Sequence, residues 1–431
     1  MWGRSLLHPR PPRVAGIRHS VPMVTPPKVL AVVQAGGQGA RLDVLTRERA
    51  KPALAFAGSF QLIDVALSNC ANSGISDVWL SVQYQAGSLH RHLAAGRPWD
   101  LDRTRGGLRW LMPEEGGGSA AQDGFSDGNG DDLYRFADAI REFAPDVVVV
   151  MSTDQVLALD LRPVVAAHLE RGSHCTVVTT EVSPTQAADK AVITVGRGTR
   201  VTAVDYKPDR PRGTTISAEV FVYDPEALFR TLDELRRELS HTDDGNSGIG
   251  DFGEHLLPRL VRDGTVHAWP LEGYWADLGT PAAYLSAHRD LLAGRVDVLT
   301  RPGWPLLTRW PELPASRVDT GAVLEDVVLS AGCHVRGTVR RSVLGPGVVV
   351  EPGAVVEDAV LLAGVHVGRD AHVVTSILDD EVRVGSGARV GEATRATRAH
   401  DRHIAVVGRD SVVGPGATVA AGARLEPGTT V

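Results

Sequence analysis

The sequence predicts an α/β domain with a mixed, mostly parallel sheet, followed by a C-terminal left-handed parallel β-helix of hexapeptide repeats. Two patterns predict this combination. Short apolar runs alternate with segments of helical spacing as far as about Leu292, which is typical of a sheet covered by helices. After Pro302 the helical spacing ends and small aliphatic residues recur at every sixth position, a period typical of hexapeptide β-helices.

The first part begins with the apolar segment Val29–Gln34, which leads directly into glycines, as a buried parallel strand does. Two more strands are predicted at residues 78–82 and 147–151. Helices are predicted at residues 62–73, 137–143 and 161–169. In sheets of this kind ligands bind beyond the carboxyl ends of the strands, so we expect the functional residues there.

The second part carries the six-residue period in two runs. They are Val343, Val349, Val355, Leu361, Val367 and Val373, and then Val413, Val419, Leu425 and Val431. One aliphatic side chain per repeat is expected to point inward, where stacked coils share a narrow core. Residues 392–410 interrupt the period and are predicted to form a loop or a short helix.

The chain has 431 residues, of which 43% are hydrophobic, enough for about two or three domains with real cores. The expected boundaries are a basic tail at residues 1–28, the α/β domain at 29–295, a proline-rich linker at 296–318 and the β-helix at 319–431. The tail is interpreted as disordered, or as an over-long gene start with Met23 as the true start. The alternative is a basic arm that binds an anionic effector.

Composition excludes several classes of protein. The 45 Lys and Arg residues against 52 Asp and Glu residues give a net charge of −7, which disfavours general nucleic-acid binding. No apolar run reaches about 18 residues, so no membrane span is expected. Three scattered cysteines cannot form a disulfide framework, which favours a reducing compartment, and we expect the protein to be cytoplasmic.

A glycine-rich loop follows the first strand and contains Gly36, Gly37 and Gly39. Such glycines let backbone N–H groups approach a phosphate or a base, although alone they indicate only a tight turn. A dinucleotide fingerprint would need a glycine where Leu42 stands, and no Gly-Lys-Ser/Thr follows as in a P-loop. The basic residues Arg41 and Lys51 strengthen the interpretation, because guanidinium and ammonium groups at one strand end could clamp a polyphosphate.

Longer motifs extend this pattern along the chain. They are GGQGARLDVLTRERAKPALAF, FQLID, LSNCANSGI, VQYQ, TDQ, YKP, DFGEHLLP and YWADLGT. Together they resemble the bacterial glucose-1-phosphate adenylyltransferases (ADP-glucose pyrophosphorylases), with this chain a divergent member. The resemblance covers nearly all of residues 29–431 and implies a Rossmann-like nucleotidyltransferase domain ahead of the β-helix. It also implies transfer of AMP from ATP to α-D-glucose 1-phosphate, giving ADP-glucose and pyrophosphate for glycogen or related α-glucan synthesis.

The resemblance implies a role for particular residues. Arg41 and Lys51 are expected to be catalytic, on the triphosphate and near the α-phosphate. Gly36, Gly37, Gly39 and Gln83 are expected to bind the nucleotide. Lys207 and Ser217 are expected to bind the sugar phosphate, although without the resemblance Lys207 would be interpreted as a solvated lysine at a strand end.

The cofactor implied is Mg²⁺, which prefers oxygen ligands and usually takes one or two carboxylates. The resemblance assigns these carboxylates to Asp154 and Asp277. Asp154 follows an apolar strand, and alone it could equally be a helix N-cap. The expected partners are ATP and glucose 1-phosphate, a homotetramer or a hetero-oligomer with a paralogue, and an anionic metabolite effector.

Several departures from the family pattern fall on the sugar side. Tyr206 stands where the family has a glutamate expected to accept sugar hydroxyls, and Lys190-Ala191 replaces Phe-Gly. The family's Gly-Thr is Arg135-Phe136 here. These changes leave two alternatives open: a non-catalytic regulatory paralogue that works with an active partner, and a nucleotidyltransferase for another sugar 1-phosphate.

Overall fold

A computed structural model of the chain describes residues 26–37, 39–112, 126–239, 247–394 and 400–431. The prediction for the basic tail therefore lies almost entirely outside the described residues, as does Gln38 of the glycine-rich loop. Within the described ranges, no helix combines the length and the apolar character needed to cross a membrane.

The helices all lie before the β-helix, apart from one short 3₁₀ turn. The α-helices are α1 Leu62–Asn72, α2 Ala86–Leu93, α3 Asn129–Arg135, α4 Ala137–Phe143, α5 Leu161–Arg171, α6 Pro184–Ala187, α7 Pro225–Leu239, α8 Leu256–Asp263 and α9 Pro281–Leu292. Short 3₁₀ helices are Ala40–Thr46, Lys51–Ala53, Arg97–Trp99, Asp297–Leu299 and Asp401–His403.

The strands fall into two groups. Those of the α/β domain are β1 Val29–Gln34, β2 Ala55–Phe56, β3 Phe60–Gln61, β4 Asp77–Ser81, β5 Gly107–Leu111, β6 Val147–Ser152, β7 Gln155–Leu157, β8 Cys175–Glu181, β9 Ala191–Val195, β10 Val201–Tyr206, β11 Thr215–Tyr223, β12 Val266–Pro270 and β13 Trp275–Asp277. Those of the β-helix are β14 Arg317–Val318, β15 Val323–Leu329, β16 His334–Val335, β17 Thr338–Leu344, β18 Val349–Val350, β19 Val355–Glu357, β20 Val360–Leu361, β21 His366–Val367, β22 His372–Val374, β23 Ser376–Leu378, β24 Arg383–Val384, β25 Arg389–Val390, β26 Ala405–Val407, β27 Val412–Val413, β28 Thr418–Val419 and β29 Arg424–Leu425.

The main sheet of the first domain has the spatial order β10-β9-β11-β6-β1-β4-β5, with β8 paired to β11 and β12 paired to β8. β1 lies between β6 and β4 with parallel pairing on both sides. β11 runs antiparallel to β6, β8 and β9, and β10 runs antiparallel to β9. The remaining strands share one direction, so the prediction of a mixed, mostly parallel sheet is confirmed.

The predicted elements of this domain are confirmed, with small shifts of their ends. The strand Val29–Gln34 and the helix Ala137–Phe143 have the predicted bounds. The central strand is buried on both faces, because Ala31 and Val33 join one apolar layer and Leu30 and Val32 join the other. This double burial explains why the segment is apolar at successive positions rather than at alternate ones.

The C-terminal domain consists of stacked parallel strands, as the hexapeptide period predicts. Leu344 pairs with Leu361, and Leu361 pairs with Leu378. Each of these coils therefore spans 17 residues, from 344 to 361 and from 361 to 378, so one of its three steps has five residues instead of six.

The prediction assumed six residues in every step. Because one step has five, the predicted inward positions before Leu361 are wrong by one residue. The side chains that fill the interior are Leu344, Val350 and Val356, while Val349 and Val355 are only half-buried. The predicted positions Leu361, Val367 and Val373 do point inward. In the last run Val413 and Val419 are buried, but Val431 is 46% exposed and does not belong to the interior.

Val343 is buried for a different reason. It belongs to a row of outward-facing residues, Val343, Val360, Ile377 and Val406, that occupy equivalent positions in successive coils. These residues pack with Leu42, Leu45, Phe56 and Tyr284 of the first domain. The β-helix thus rests against the segment that follows the glycine-rich loop and against α9.

The predicted linker lies entirely within the described residues, and the interruption of the repeats is described in part. Residues 301–314 of the predicted linker contain no helix or strand and are held against α1. The hydroxyl of Ser68 accepts a hydrogen bond from Leu307 N at 2.9 Å, and Asn72 donates one to Pro305 O at 2.9 Å. In the interruption, the short 3₁₀ helix Asp401–His403 is present and β26 resumes the coil, while residues 395–399 lie outside the described ranges.

Candidate active site

A polar cleft opens where β1, β4 and β6 end. Its cavity has a volume of about 350 Å³, which lies within the usual range of small-molecule sites. Of the residues predicted to act, Gly36, Gly37, Arg41, Gln83, Asp154, Lys207 and Asp277 line it. Gly39, Lys51 and Ser217 lie behind this lining.

The two predicted metal ligands come together through a short antiparallel ladder. β7 begins directly after Asp154, and it pairs with β13 so that Gln155 lies opposite Asp277. The N–H of Leu278 also donates a hydrogen bond to Asp154 O at 3.1 Å. Asp154 therefore sits beside Asp277 although 123 residues separate them in the sequence. An N-cap role for Asp154 is excluded, because a strand and not a helix follows it.

Lys51 links the two carboxylates. Its side chain is almost fully buried, and its Nζ lies 2.7 Å from Asp154 Oδ2 and 3.8 Å from Asp277 Oδ1. Burial alone would raise the pKa of Asp154, but the charge and hydrogen bond of Lys51, together with the Ser152 hydroxyl and the charge of Lys190, outweigh it and hold that pKa well below its usual value. Asp154 is therefore ionised at neutral pH, as a ligand for a cation must be.

Arg41, on the short 3₁₀ helix Ala40–Thr46, approaches Asp277. Its Nη2 lies 3.1 Å from the position that a Cβ on Gly279 would take, and Asp277 Oδ1 lies 3.2 Å from that position. The absence of a side chain at Gly279 thus leaves room for the guanidinium beside the carboxylate. Arg41 remains exposed to the cleft, where its planar donors could meet a phosphate.

The three glycines of the loop have different surroundings. A Cβ on Gly36 would lie 2.9 Å from Gln83 Nε2, so this glycine allows Gln83 to approach the backbone of the loop. Nothing lies within 4 Å of a Cβ on Gly37, which faces the open cleft. Gly39 has φ 67° and packs on Lys51, whose Cβ would lie 2.9 Å from a Cβ at that glycine. Gly39 therefore supports Lys51 from below rather than lining the cleft.

The polar residue at the end of β1 has a buried partner. Gln34 Nε2 donates hydrogen bonds to Asn129 O at 2.8 Å and to Asp132 Oδ2 at 3.0 Å, and Ser81 Oγ donates to Asp132 Oδ1 at 2.6 Å. Burial raises the pKa of Asp132, and the two side-chain hydrogen bonds oppose this rise. Gln34 is thus part of a satisfied network between β1, β4 and α3.

On the sugar side of the cleft, Tyr206 and Lys207 both approach Asp251. Tyr206 donates its hydroxyl to Asp251 Oδ2 at 2.5 Å, and Lys207 Nζ lies 3.5 Å from the same oxygen. Burial, followed by this hydrogen bond, raises the pKa of Tyr206 well above its usual value. Ser217 is buried, and its hydroxyl accepts a hydrogen bond from Glu219 N at 3.0 Å. Its predicted contact with the sugar stays a prediction, as do the other assigned roles.

Among the charged residues that line the cleft, Lys190 and Glu219 were not identified as site residues from the sequence. Lys190 forms an ion pair with Asp277 Oδ2, and Glu219 lines the cleft close to Lys190. Burial would lower the pKa of Lys190, but Asp277 and then Glu219 raise it above its usual value. Burial and the neighbouring Asp154 raise the pKa of Glu219 to about 8. The resemblance to the family identified Lys190 only as a departure from the family pattern, and Glu219 belongs to none of the motifs.

The donor set is compatible with a magnesium ion. Asp277 Oδ1 is buried, and no described residue donates a hydrogen bond to it. No group of three or more His, Cys, Asp or Glu side chains suited to a metal occurs within the described ranges. Two carboxylates without further protein ligands are what Mg²⁺ commonly uses when substrate phosphates complete its coordination.

Comparisons with known proteins agree with this arrangement. Residues 30–294 match the Nucleotidyl transferase family model, and residues 314–413 match the model for the GlmU-like C-terminal hexapeptide. The glucose-1-phosphate adenylyltransferase of Thermomicrobium roseum is 36% identical to the chain, with 93% of each chain covered. Those of Thermosipho melanesiensis and Fervidobacterium nodosum are 34% and 30% identical, each covering 89% of this chain and 92% of the relative.

The chain belongs to the glucose-1-phosphate adenylyltransferase family. Its fold follows from the two family models as well, since a nucleotidyltransferase domain precedes a hexapeptide domain of parallel strands. Membership in the family makes the chain a nucleotidyltransferase, and the cleft described above lies within the part that matches the nucleotidyltransferase model.

Proposed function

We propose that the protein is a glucose-1-phosphate adenylyltransferase that transfers AMP from ATP to α-D-glucose 1-phosphate. The observation that carries this proposal is the meeting of Asp154 and Asp277 with Arg41 and Lys51 at one end of the sheet. The residues that match the Nucleotidyl transferase family model, 30–294, include this whole group. The product, ADP-glucose, serves as a glucosyl donor for α-glucan synthesis.

The proposed reaction is a displacement at the α-phosphorus of ATP. A phosphate oxygen of glucose 1-phosphate forms the new bond to this phosphorus. The bond from the α-phosphorus to the bridging oxygen of the β-phosphate breaks, and pyrophosphate leaves with the electron pair. The nucleophile is already an anion, so no side chain has to remove a proton. The protein must therefore align the two anionic substrates and neutralise their charge.

The cations of the cleft are suited to this task. Arg41 presents fixed guanidinium donors from the surface of the cleft, and we assign it to the triphosphate. Lys51 is buried and held between Asp154 and Asp277, so it provides a fixed positive charge behind the α-phosphate. Gly36, Gly37 and Gln83 would contact the nucleotide, with Gly37 leaving the backbone open to close approach.

We propose Mg²⁺ as the cofactor, held by Asp154 and Asp277. When bound, the ion would supply Lewis-acid charge at the phosphates. Asp277 Oδ1, to which no described residue donates a hydrogen bond, and the ionised Asp154 support this assignment. Lys207 and Ser217 remain the proposed residues for the sugar phosphate, Lys207 directly from the cleft and Ser217 through the backbone of Glu219.

We further propose an oligomer, a homotetramer or a complex with a paralogue, that is regulated by an anionic metabolite in the cytoplasm. Exposed apolar residues on the linker and the first β-helix coil, among them Trp310, Leu313 and Val323, support an assembly surface. An interdomain cavity is lined by Arg91 and Arg309, which form no ion pair with a described residue, and these two cations support anion binding although three carboxylates also line the cavity. Light scattering of the purified protein tests the assembly, and a shift of activity with sugar phosphates tests the regulation.

The central experiment measures the products of purified protein with ATP, glucose 1-phosphate and Mg²⁺. We expect release of pyrophosphate and formation of ADP-glucose in equal amounts, identified by anion-exchange chromatography. A panel of other sugar 1-phosphates and nucleoside triphosphates is run in parallel, because the altered sugar side could change the preferred substrate. Release no greater than that of an Asp154→Asn, Asp277→Asn double variant, with every substrate pair, would overturn the proposal.

A further inference from the structure

The residue that stands out on the sugar side of the cleft is Glu219. Its backbone is left-handed, with φ 51°, a conformation that is uncommon for a residue other than glycine. It lies in β11 where the pairing with β8 shifts register between Ser217 and Phe221. An irregularity of this kind re-aims a side chain out of the regular alternation of a strand. Here the side chain is directed into the cleft.

The Glu219 carboxylate lacks hydrogen-bond donors. No described residue donates a hydrogen bond to either of its oxygens, although the side chain is half-buried in a cleft rich in polar groups. The oxygens of a carboxyl group accept hydrogen bonds, so this group is available to a ligand. Its charged neighbours are Asp154, Lys190, Asp277 and Lys51.

The other half-buried and buried carboxylates on this side of the cleft are already satisfied. Asp251 accepts hydrogen bonds from Tyr206 on Oδ2 and from Asn129 N on Oδ1. Asp132 accepts from Gln34 and Ser81. Tyr206 itself stands where the family has a glutamate for sugar hydroxyls, and its hydroxyl is directed to Asp251. Glu219 is thus a half-buried carboxyl group on this side of the described cleft that still offers acceptors to a polyol, whereas Asp189, which also lines the cleft, is exposed.

We propose that Glu219 is a specificity-determining residue whose carboxylate accepts a hydrogen bond from a ring hydroxyl of the sugar 1-phosphate. This inference rests on the proposed function and deepens it. It explains how a sugar site can operate without the glutamate that Tyr206 replaces, because the acceptor comes from β11, on the other side of β9. Lys190, paired with Asp277 and attracted to Glu219, provides the positive charge between these carboxylates.

The test compares Glu219→Gly, Glu219→Gln and, as a matched control, Glu226→Gln. The glycine variant removes the carboxylate at a position where glycine is favoured, so the backbone is not strained by the change. Glu226 lies at the start of α7, with its side chain 90% exposed, and changing it removes the same type of group outside the cleft. KM and kcat are measured for both substrates, together with glucose 1-phosphates that lack one hydroxyl each.

We expect the KM for glucose 1-phosphate to rise roughly 10- to 100-fold in Glu219→Gly, because loss of the acceptor leaves a sugar hydroxyl unpaired in the cleft, and to rise less in Glu219→Gln, whose amide oxygen still accepts. The KM for ATP should change less than about twofold, and Glu226→Gln should match the wild type. One deoxy analogue should be a poor substrate for the wild type yet lose nothing further in Glu219→Gly. An unchanged KM for glucose 1-phosphate, or unchanged discrimination among the analogues, would overturn the inference while the proposed function stands.

The proposed function can fail separately. If the wild type forms no nucleotide sugar from any substrate pair, the role of Glu219 is decided by calorimetric titration of wild type and Glu219→Gly with glucose 1-phosphate. Weaker binding to the variant would support the inference without catalysis. Equal binding, or no binding to either protein, would overturn it.

Discussion

The guanidinium of Arg49 forms a buried ion pair with the carboxylate of Asp379, and this pair joins the two domains. The Arg49 side chain is 5% exposed and that of Asp379 is 2% exposed. Arg49 also lies 3.1 Å from Asp380 Oδ2, and Arg409 contacts the same carboxylate at 2.5 Å. Because Arg49 precedes Lys51 by two residues, the β-helix is attached directly to the segment that carries the buried lysine of the cleft.

Removing Arg49 should destabilise the protein strongly. Arg49→Met leaves Asp379 buried without its cation and beside a second carboxylate, and breaking a buried pair in this way costs about 3–5 kcal/mol. Urea unfolding at neutral pH measures this free energy. The matched control is Arg47→Met, since Arg47 is 54% exposed and contacts Glu426 at 3.2 Å. An exposed pair of this kind contributes less than about 1 kcal/mol. Equal losses of unfolding free energy in the two variants would contradict the buried, stabilising role of the Arg49–Asp379 pair.

Asp154 and Asp277 should each be required for activity. Asp154→Asn and Asp277→Asn each remove one proposed ligand of the ion and one partner of Lys51, so each should lower kcat by roughly 100-fold or more. Pyrophosphate release at saturating substrates measures the effect. Asp138→Asn, at a side chain that is 78% exposed and outside the cleft, should keep the wild-type rate. Wild-type kcat in either cleft variant would show that the ion is not held there.

The parts of this site that could be predicted are those with a local signature. The glycine-rich loop leads from β1 into Arg41, and Asp154 follows a strand, so their place at the sheet edge follows from the topology. The nearness of Asp277 came only from the family resemblance, because the β7–β13 ladder has no pattern of its own. Glu219 had no signal, since its direction depends on a register shift within β11.

The β-helix shows a similar limit. The six-residue period predicts stacked coils, but a single five-residue step moves the inward position by one. In Val349-Val350 and in Val355-Val356 both residues are valine, so composition alone cannot show which of the two faces the interior. Val343 was predicted to face inward, yet its burial comes from the first domain, a contact that no repeat pattern contains.

Gly36 is expected to affect ATP binding, because its lack of a side chain leaves space for Gln83. A Cβ at this position would lie 2.9 Å from Gln83 Nε2, so Gly36→Ala has to displace that side chain from the cleft. We expect the KM for ATP to rise about 3- to 10-fold, with little change in the KM for glucose 1-phosphate. In the double variant Gly36→Ala, Gln83→Ala, the shorter side chain at position 83 leaves room for the new methyl group at position 36. The double variant should therefore lose no more than Gln83→Ala alone, and additive losses would disprove the coupling.

His288 should make the protein sensitive to mild acid. It lies on α9 with its ring buried, where Nδ1 donates to Tyr284 O at 2.8 Å and Nε2 accepts from Ala57 N at 3.2 Å. These two bonds require the neutral ring, since a second proton would leave the Ala57 N–H without an acceptor. Burial lowers the pKa of His288 to about 4, partly opposed by the Tyr284 carbonyl.

The direction of the pH effect follows from this lowered pKa. Between about pH 6.5 and pH 4 the unfolded histidine binds a proton that the folded one does not, so stability is complete above pH 6.5 and falls as the pH decreases. At about 1.4 kcal/mol per pH unit, the loss from this residue approaches about 3 kcal/mol at pH 4. His288→Gln keeps an acceptor but does not titrate, so its unfolding free energy should fall less steeply between pH 6.5 and 4.5. Buried His168, whose pKa burial also lowers to about 4, remains in both proteins, so the difference between their urea-unfolding curves isolates His288. Parallel pH dependence in the two proteins would show that His288 is already protonated in the folded state.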